Sequence, residues 1–395
     1  MKLLRVISSM HPKSGGPCQG IRNAIPALEK LGVYNEVVCL DDPSSSYIKN
    51  DPFVIHAIGP AKGPWGYGAS LIPWLSENST NYDAVIVHGL WQYSSHAVYK
   101  SLKKKMGQKG SLPVPYYVMP HGMLDPYFQK APERKLKAIR NWIYWKLIES
   151  KVVNKSNGVL FTCSEELLLA RETFRPYKPI KELNVGYGII APPVLTQKMS
   201  DEFYKTCPEL FGKPYFLFLS RIHSKKGLDL LIQSYKKWMD NVADNEIIKL
   251  AIAGPGLETQ FGQELNKIVE NDILLKENIF FTGMLTGDSK WGAFYNSTAF
   301  VLPSHQENFG IAIVEALACG KPVLISNKVN IWREIEGEKA GFVSNDTLSG
   351  TLELLLHWEK LTPEEKTQMN NNARKTFEKY YAIDPAAKKF KESIE

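Results

Sequence analysis

Two acidic residues with seven residues between them form a candidate ligand-binding pair. Glu307 follows a short apolar run, and Glu315 lies about two turns into the helix predicted for Phe309–Cys319. A carboxylate can accept hydrogen bonds from two neighbouring hydroxyl groups, so two separated carboxylates could hold two sugars of one ligand. An ordinary acidic surface is the alternative. The position of the pair at a strand–helix junction, around Asn308-Phe309-Gly310, favours a ligand.

A second candidate group is cationic. Arg221 lies at the C-terminal edge of a predicted strand, and Lys226 immediately precedes a predicted helix. A guanidinium offers a planar fork of donors and an ammonium offers a point charge, a combination that suits a diphosphate. A solvated basic loop is the alternative interpretation of the same residues.

Glycines follow the first predicted strand, in the run Lys13–Gly20. Gly15 and Gly16 would let the backbone approach a phosphate at the start of a helix, where free N–H groups are available. Gly15 and Gly20 have the spacing of a P-loop, but Ile21 stands where that motif requires lysine, which excludes it. An ordinary glycine-rich turn remains an equal alternative.

Two histidines lie at or just beyond the ends of predicted buried strands. His121 lies in Met119–Pro126 and precedes a glycine, which favours a role in a site over a structural role. His88 also precedes a glycine, but for this residue the structural role is favoured.

The segment Lys130–Lys155 carries most of the excess positive charge. Eight basic residues and two acidic ones give it a net charge of +6, against +7 for the whole chain. Aromatic and aliphatic residues are interleaved with the charges, as in helices that lie on anionic membranes. A helix packed on its own sheet with a solvated basic face is the alternative. Nucleic acid is not expected as a partner because no known binding module accompanies the patch.

Length and composition limit the protein class. The 395 residues are enough for two domains, and 44% hydrophobic with 23% charged residues is ordinary for a folded protein. The five cysteines are widely spaced and include no Cys-x-x-Cys pair, which favours a reducing cytoplasm over a disulfide framework. The apolar stretch at the N-terminus is too short for a signal peptide. No apolar run approaches the length of a membrane span.

Short apolar runs alternate with helical patterns in both halves of the chain, which predicts two doubly wound parallel-sheet domains. A turn-rich break over 184–214 separates the halves. Ligands of such sheets bind where strand ends face a crevice. The predicted strands are Leu3–Ser9, Glu36–Leu40, Phe53–Ala57, Ala84–His88, Tyr116–Met119, Gly158–Thr162, Tyr215–Ser220, Ile248–Ala253, Asn278–Phe281, Ala299–Pro303 and Pro322–Ile325.

Together these motifs resemble the retaining glycosyltransferases of family 4, which have the GT-B fold, and the resemblance covers most of the chain. Glu307 and Glu315 resemble the family's Glu-x7-Glu signature, the most specific motif, and Arg221 and Lys226 resemble its diphosphate-binding pair. The run Pro120–Pro126 is similar to a variant found in members that build bacterial polysaccharides.

The resemblance extends to the Gly15-Gly16 turn, which is similar to the N-terminal loop that approaches the donor phosphate. Ser220 departs from the glycine of many members. The catalytic residues that the resemblance implies are His121, Glu307, Arg221 and Lys226. The donor-binding residues that it implies are Gly15, Gly16, Arg221, Lys226, Asn308, Phe309, Gly310, Ile311 and Glu315.

The GT-B fold implies two Rossmann-like domains that face a central cleft. We expect residues 1–190 to form the acceptor domain and residues 197–376 to form the nucleotide-sugar domain. A final helix over about 377–395, which overlaps a helical pattern over about 362–392, is expected to pack back on the first domain.

The implied activity is retaining, metal-independent transfer of a hexose from a UDP- or GDP-sugar to a saccharide or lipid-linked saccharide, with an α-linked product, in polysaccharide biosynthesis. No cofactor is expected beyond the donor itself. The implied location is the cytoplasm, with peripheral contact to the inner membrane face through 130–155. The alternatives are a nucleotide-sugar epimerase or hydrolase of the same fold, and a non-catalytic membrane-surface protein.

Overall fold

The computed structural model describes residues 1–12, 15–106, 114–243 and 246–395. These residues form two compact units, each built on its own sheet. Unit 1 contains Met1–Ile189 and Ile383–Glu395, and unit 2 contains Ile190–Ala382. Lys13 and Ser14, at the start of the predicted phosphate loop, lie outside the described residues.

Unit 1 is built on a seven-stranded parallel sheet with the strand order β3-β2-β1-β4-β5-β6-β7. Its core strands are apolar on both faces because helices cover the two sides of a parallel sheet. The strands are β1 Lys2–Val6, β2 Tyr34–Cys39, β3 Ile55–Ala57, β4 Ala84–His88, β5 Tyr116–Met119, β6 Gly158–Phe161 and β7 Glu182–Asn184.

The helices of unit 1 connect successive strands. They are α1 Gly16–Lys30, α2 Leu71–Asn78, α3 Tyr93–Met106, α4 Tyr127–Lys130, α5 Lys135–Tyr144, α6 Ser150–Asn154 and α7 Ser164–Thr173. A π-helical turn over Trp145–Glu149 joins α5 to α6. Both end residues of this turn, four positions apart, are fully buried.

Unit 2 has a six-stranded parallel sheet, β8 Tyr215–Leu219, β9 Lys249–Ala253, β10 Ile279–Gly283, β11 Ala299–Leu302, β12 Val323–Ser326 and β13 Gly341–Ser344. Its helices are α8 Gln197–Thr206, α9 Leu228–Met239, α10 Gln260–Glu270, α11 Ile273–Lys276, α12 Gly287–Asn296, α13 Ile311–Ala318, α14 Trp332–Gly337, α15 Leu348–Glu359 and α16 Pro363–Thr376. The chain then returns to unit 1 with α17, Ile383–Ile394.

The strand orders confirm the predicted doubly wound fold class. Unit 2 has the order β10-β9-β8-β11-β12-β13, in which the first and fourth strands of the unit are neighbours. Unit 1 has the same arrangement at β1 and β4, with one further strand. In each sheet the winding direction reverses between these two strands, and ligands of such sheets bind beyond the strand ends at that point.

Two strands were absent from the prediction, and both lie at sheet edges. β7 is three residues long and half-buried, so it carries too little apolar pattern to be recognised. β13 begins at Gly341, where a Cβ atom would lie 1.9 Å from the carbonyl oxygen of Val323. A glycine weakens the sequence signal of a strand, although here it allows close backbone pairing.

The C-terminal helical region differs from the single long helix expected over about 362–392. A π-helical turn and Ala382 separate α16 from α17. Pro385 lies in the first turn of α17, where its missing N–H removes no helical hydrogen bond. The turn belongs to unit 2, because the ring of Tyr381 packs against Phe309 at 5.7 Å and the hydroxyl of Tyr380 bonds Glu338. Unit 2 therefore extends to Ala382, six residues beyond 376.

The pH dependence of stability tests whether the buried carboxyl group of Glu149 is neutral. Its carboxyl group is fully buried, and burial raises its pKa to about 8, against weaker opposing hydrogen bonds from Ser95 and the Trp91 amide. Between pH 4.5 and 8 the folded chain keeps a proton that the unfolded chain loses, so this group lowers stability as pH rises, by up to about 1.4 kcal/mol per pH unit. Glu149→Gln removes this titration. We expect the melting temperature of the variant, relative to that of the unmodified protein, to increase steadily from pH 5 to pH 8.

The exposed Glu29 of α1 gives the matched control. Glu29→Gln should show a difference in melting temperature that changes little over the same pH range. A flat profile for Glu149→Gln would contradict the assignment of a neutral buried carboxyl group.

Candidate active site

Arg221 is presented by a rigid backbone at the end of β8. The amide of Ser220 donates to the carbonyl of Ala253 at 3.0 Å, and the amide of Ile222 donates to that of Pro255 at 2.8 Å. The side chain of Arg221 is exposed, and among the described residues no hydrogen bond or ion pair involves it. The sheet therefore fixes the backbone position of Arg221, and the N–H groups of its guanidinium remain available to a ligand.

The segment that contains Lys226 packs on the loop after β11. The amide of His305 and the hydroxyl of Ser304 both donate to the carbonyl of Lys225, at 2.9 and 3.0 Å. Gly227 has a φ of +67°, and a Cβ atom there would lie 2.1 Å from the carbonyl oxygen of Pro303. Glycine is thus required at this position for both backbone conformation and space.

Lys226 and Glu307 form a partly buried ion pair across the switch point of unit 2. Lys226 is only 9% exposed. The backbone of Glu307 is held in turn by the segment after β12, because its amide donates to the carbonyl of Lys328 and its carbonyl accepts from the amide of Asn330, both at 2.9 Å. The pair therefore links the loops that follow β8, β11 and β12.

Helix α13 begins beside this ion pair. Gly310 precedes it with a φ of +72°, and a Cβ atom there would lie 3.2 Å from Cγ of Glu307. The side chain of Phe309 is buried, and Nδ2 of Asn330 donates to the side-chain oxygen of Asn308 at 3.3 Å. The first amides of α13, from Ile311 onward, have no partner within the helix, so this end offers donors to an anion.

Glu315, on α13, pairs with a lysine other than Lys226. Nζ of Lys290, on α12, lies 2.6 Å from Oε1 of Glu315. Burial raises the pKa of Glu315, and the Lys290 charge opposes that shift. Each of the two predicted acids is therefore bound to its own ammonium group. Sequence reasoning missed Lys290 because no local pattern connects it to a residue 25 positions later.

The glycine turn of unit 1 has two different functions within one motif. Gly15 has a φ of +89°, and at both Gly15 and Gly16 a Cβ atom would have no neighbouring atom of the described residues within 4 Å. Gly20 differs, because a Cβ atom there would lie 2.0 Å from the hydroxyl oxygen of Tyr187. That hydroxyl donates to the carbonyl of Gly16 at 3.0 Å. Gly20 is thus needed for packing, and Gly15-Gly16 border open space.

The two predicted histidines contact each other in unit 1. Nδ1 of His88 lies 2.9 Å from Nε2 of His121, and their rings stack with centroids 5.2 Å apart. His121 has a φ of +52°. Burial first, and the charge of Arg5 second, lower the pKa of His121 to about 3 and that of His88 well below its usual value. Both rings are therefore neutral at pH 7.

Arg5 is the second residue that sequence reasoning missed. It lies on β1 and is almost fully buried, and its Nη1 lies 3.2 Å from Nε2 of His88. The structure thus brings Lys226 together with Glu307, and His88 together with His121. Within the described ranges there is no group of three or more His, Cys, Asp or Glu residues placed to hold a metal ion.

Comparisons with known proteins show which family and which folds the chain is similar to. Residues 207–376 match the family model described as glycosyl transferases group 1. The 2-deoxystreptamine N-acetyl-D-glucosaminyltransferase of Niallia circulans is 25% identical over 273 residues, 67% of this chain and 63% of that protein. The O-antigen chain mannosyltransferase C of Escherichia coli is 27% identical over 188 residues, 45% of each chain. The chain thus spans less than two thirds of the length of these relatives.

The fold is similar to that of solved structures over its whole length. The Anabaena protein HepE, solved in complex with UDP and glucose, superimposes with a TM-score of 0.74 at 14% identity, covering 100% of this chain and 99% of that one. With the two strand orders described above, this likeness identifies the fold as the two-domain Rossmann-like GT-B fold.

Gly227 allows a stability test of the switch point. Gly227→Ala adds strain at positive φ, about 1–2 kcal/mol, and a contact with the Pro303 carbonyl that backbone atoms must move to relieve. Gly212→Ala is the matched control, because Gly212 has a φ of +70° with open space around its Cβ position. Chemical denaturation should show a clearly larger loss for Gly227→Ala than for Gly212→Ala. Equal losses would mean that the two loops do not need to pack this closely.

Proposed function

We propose that the protein transfers a sugar from a nucleotide-sugar donor to a saccharide or lipid-linked saccharide acceptor in glycan biosynthesis. The observation that carries this proposal is the cluster at the switch point of unit 2, where Arg221, Lys226 and the start of α13 provide donors for a diphosphate. This cluster lies within the residues that match the glycosyl transferase model. The UDP complex of HepE and the transferase names of the relatives support the same class of substrate.

The proposed roles follow the chemistry of the side chains. Arg221 and Lys226 stabilise the charge that develops on the leaving diphosphate, and no metal ion takes part. Glu315 accepts hydrogen bonds from the ribose hydroxyls. Glu307, with the amides after Asn308, binds the hydroxyls of the donor sugar. His121 of unit 1 contacts the transferred sugar.

The proposed reaction is a retaining one with an α-linked product. The bond from the anomeric carbon to the diphosphate oxygen breaks, and the acceptor oxygen bonds the same face of that carbon. The acceptor proton passes to the leaving phosphate oxygen. The donor is a UDP- or GDP-hexose, and the enzyme acts in the cytoplasm.

We further propose that unit 1 docks on an anionic membrane surface through one face of the helix over 135–154. Leu136, Ile139, Ile143 and Leu147 are exposed and spaced three, four and four residues apart, so they share a face. The opposite face is buried in the unit, with Trp145 at its centre. The large apolar side chains exposed on this helix are Leu136, Ile139, Trp142, Ile143 and Leu147.

The charge around this exposed face matches an anionic surface. Seven lysine and arginine residues lie in the same segment, over 134–155, and Lys130 precedes them. Glu149, one of the two acidic residues of the segment, is buried and keeps its proton at pH 7 because burial raises its pKa to about 8. Exposed apolar residues bordered by cations are the pattern of helices that lie in a membrane interface. No helix in the described part of the chain is long and apolar enough to cross a bilayer.

Arg221→Ala is the sharpest test of the transfer reaction, because within the described ranges its exposed side chain makes no hydrogen bond or ion pair whose loss would disturb the fold. We expect kcat to fall on the order of 100-fold, by analogy with the loss of a single oxyanion donor, with an unchanged melting temperature. Lys226→Ala should also lower kcat, but it leaves the partly buried Glu307 without its partner, so it should lower stability as well.

The control and the donor panel complete this test. Lys237→Ala removes an exposed cation from α9 in the same unit and should leave kcat unchanged. UDP, GDP, ADP and their sugars are compared by thermal shift, because a ligand at 100 times its Kd adds about 2.7 kcal/mol of stability. Near-normal transfer by Arg221→Ala would overturn its role. Full-rate donor consumption without acceptor would favour a hydrolase or epimerase.

Vesicle binding tests the docking proposal. The double variant Leu136→Ser/Leu147→Ser removes two side chains that are 84% and 64% exposed. We expect its affinity for vesicles containing phosphatidylglycerol to fall at least tenfold, since burying each leucine contributes about 1.5–3 kcal/mol. Ile180→Ser, a change at a 65% exposed residue elsewhere in unit 1, should leave binding unchanged. Equal binding by all three proteins, or none by the unmodified protein, would contradict the proposal.

A further inference from the structure

Three side chains from neighbouring strands form a hydrogen-bonded chain inside unit 1. Arg5 lies on β1, His88 ends β4, and His121 follows β5, and these three strands are adjacent in the sheet. The guanidinium of Arg5 donates through Nε to Asn35 at 2.9 Å, and its Nη1 lies 3.2 Å from Nε2 of His88. Nδ1 of His88 lies 2.9 Å from Nε2 of His121. The side-chain contacts thus lead from a buried cation to the residue expected to touch the sugar.

The chemistry of arginine gives this chain one direction. A guanidinium group has only donors, so Nε2 of His88 must accept. Because His88 is neutral, its proton is on Nδ1, which therefore donates to His121. Nε2 of His121 is then an acceptor, and its proton must be on Nδ1. Burial lowers the pKa of Arg5 to about 10, so it keeps its charge at pH 7.

We propose that Arg5 and His88 are positioning residues that fix His121 in a single neutral tautomer, with its Nδ1–H as the donor offered to a bound substrate. The catalytic meaning of this inference rests on the proposed function. A neutral donor can bind a hydroxyl or ring oxygen of the sugar, but in this form it is neither a general base at Nδ1 nor a cation.

The surroundings of the rings support this assignment. Both rings line a cavity between the sheet, α1 and α17, and its titratable lining residues within the described ranges are Arg5, His88, His121 and Tyr187. No carboxylate is among them, and burial raises the pKa of Tyr187, so that side chain is neutral. Nothing that lines the cavity would favour an imidazolium ion.

Packing alone does not account for Arg5. Its guanidinium carbon lies 5.1 Å from the ring centre of Phe390, but Arg5 is 2% exposed, and among the described residues it has no carboxylate partner and its Nη2 has no hydrogen-bond partner. An apolar side chain of similar volume would avoid the desolvation of a charge at this position, and such replacements are often stabilising. A buried cation that provides one hydrogen bond to His88 is therefore better explained by the tautomer that it enforces.

Imidazole nitrogen NMR on histidine-labelled protein tests the inference directly and needs no substrate. The His121 signals, identified by their loss in His121→Asn among the eight histidines, should show a protonated Nδ1 and an unprotonated Nε2 at pH 7. An Nε2–H form or a charged ring in the unmodified protein would overturn the proposal, whatever the variants do.

Variants then separate positioning from packing. Arg5→Met keeps the side-chain volume but removes the hydrogen-bond donor to His88. His121 should then show a mixture of tautomers in place of the single Nδ1–H form. We also expect kcat to fall at least tenfold, with little change in the KM for the nucleotide sugar. Arg5→Lys keeps a group that only donates hydrogen bonds, and His88→Gln keeps an acceptor for Arg5 and a donor to His121. Both variants should retain the Nδ1–H form of His121 and most of the kcat of the unmodified protein. An unchanged signal in folded Arg5→Met would overturn the role of Arg5.

The NMR measurement tests the positioning of His121, and the kinetic measurement tests the proposed function, so either proposal can be wrong while the other holds. If the tautomer and its dependence on Arg5 are observed but no nucleotide sugar is consumed or transferred, the proposed function is wrong and the positioning inference stands. If transfer is observed while His121 lacks the Nδ1–H form, the positioning inference is wrong and the function stands.

Discussion

The ion pair between the buried Lys226 and the partly buried Glu307 is the interaction on which the site in unit 2 depends. It joins loops from three strands, and removing one partner would leave the other charge in a largely desolvated position, which lowers stability. Gly227 lets the lysine loop approach the Pro303 carbonyl closely enough for the pair to form. The ion pair that stabilises the fold therefore also fixes the position of Lys226, a candidate phosphate-binding residue.

The pairing of charges also determines what the site presents before a ligand arrives. Lys226 is neutralised by Glu307, and Lys290 is neutralised by Glu315. Arg221 is the exposed cation of the set, on a backbone held by the strands beside it. A diphosphate would thus contact the guanidinium group of Arg221 first. The carboxylates of Glu307 and Glu315 already accept hydrogen bonds from lysines, so a ligand's hydroxyls would have to use their remaining acceptor positions. Because the charges of Glu307 and Lys226 neutralise each other, a change in one of them alters the electrostatics of the other.

The strand pattern and the main motifs were predictable from the sequence because they are local. Each predicted strand overlaps an observed one, and Glu307 and Glu315 lie on one loop and the helix it enters. The residues that were missed act over long sequence separations. Lys290 reaches an acid 25 positions away, and Arg5 reaches a histidine 83 positions away. Such contacts depend on sheet topology, which propensity and spacing do not specify.

Arg5 nevertheless left a signal in the sequence. A parallel strand covered by helices on both faces has no solvated side, so a charged residue in the middle of β1 must find internal partners. In the sheet of unit 1, the strand next to β1 across the switch point is β4, and His88 ends that strand. The sequence predicted a doubly wound sheet but not its strand order, so the charge of Arg5 indicated that a buried partner exists without indicating which strand carries it. A charged residue within the first strand of such a sheet therefore indicates polar partners on the neighbouring strands, and here one of them, His88, contacts the residue expected to bind the sugar.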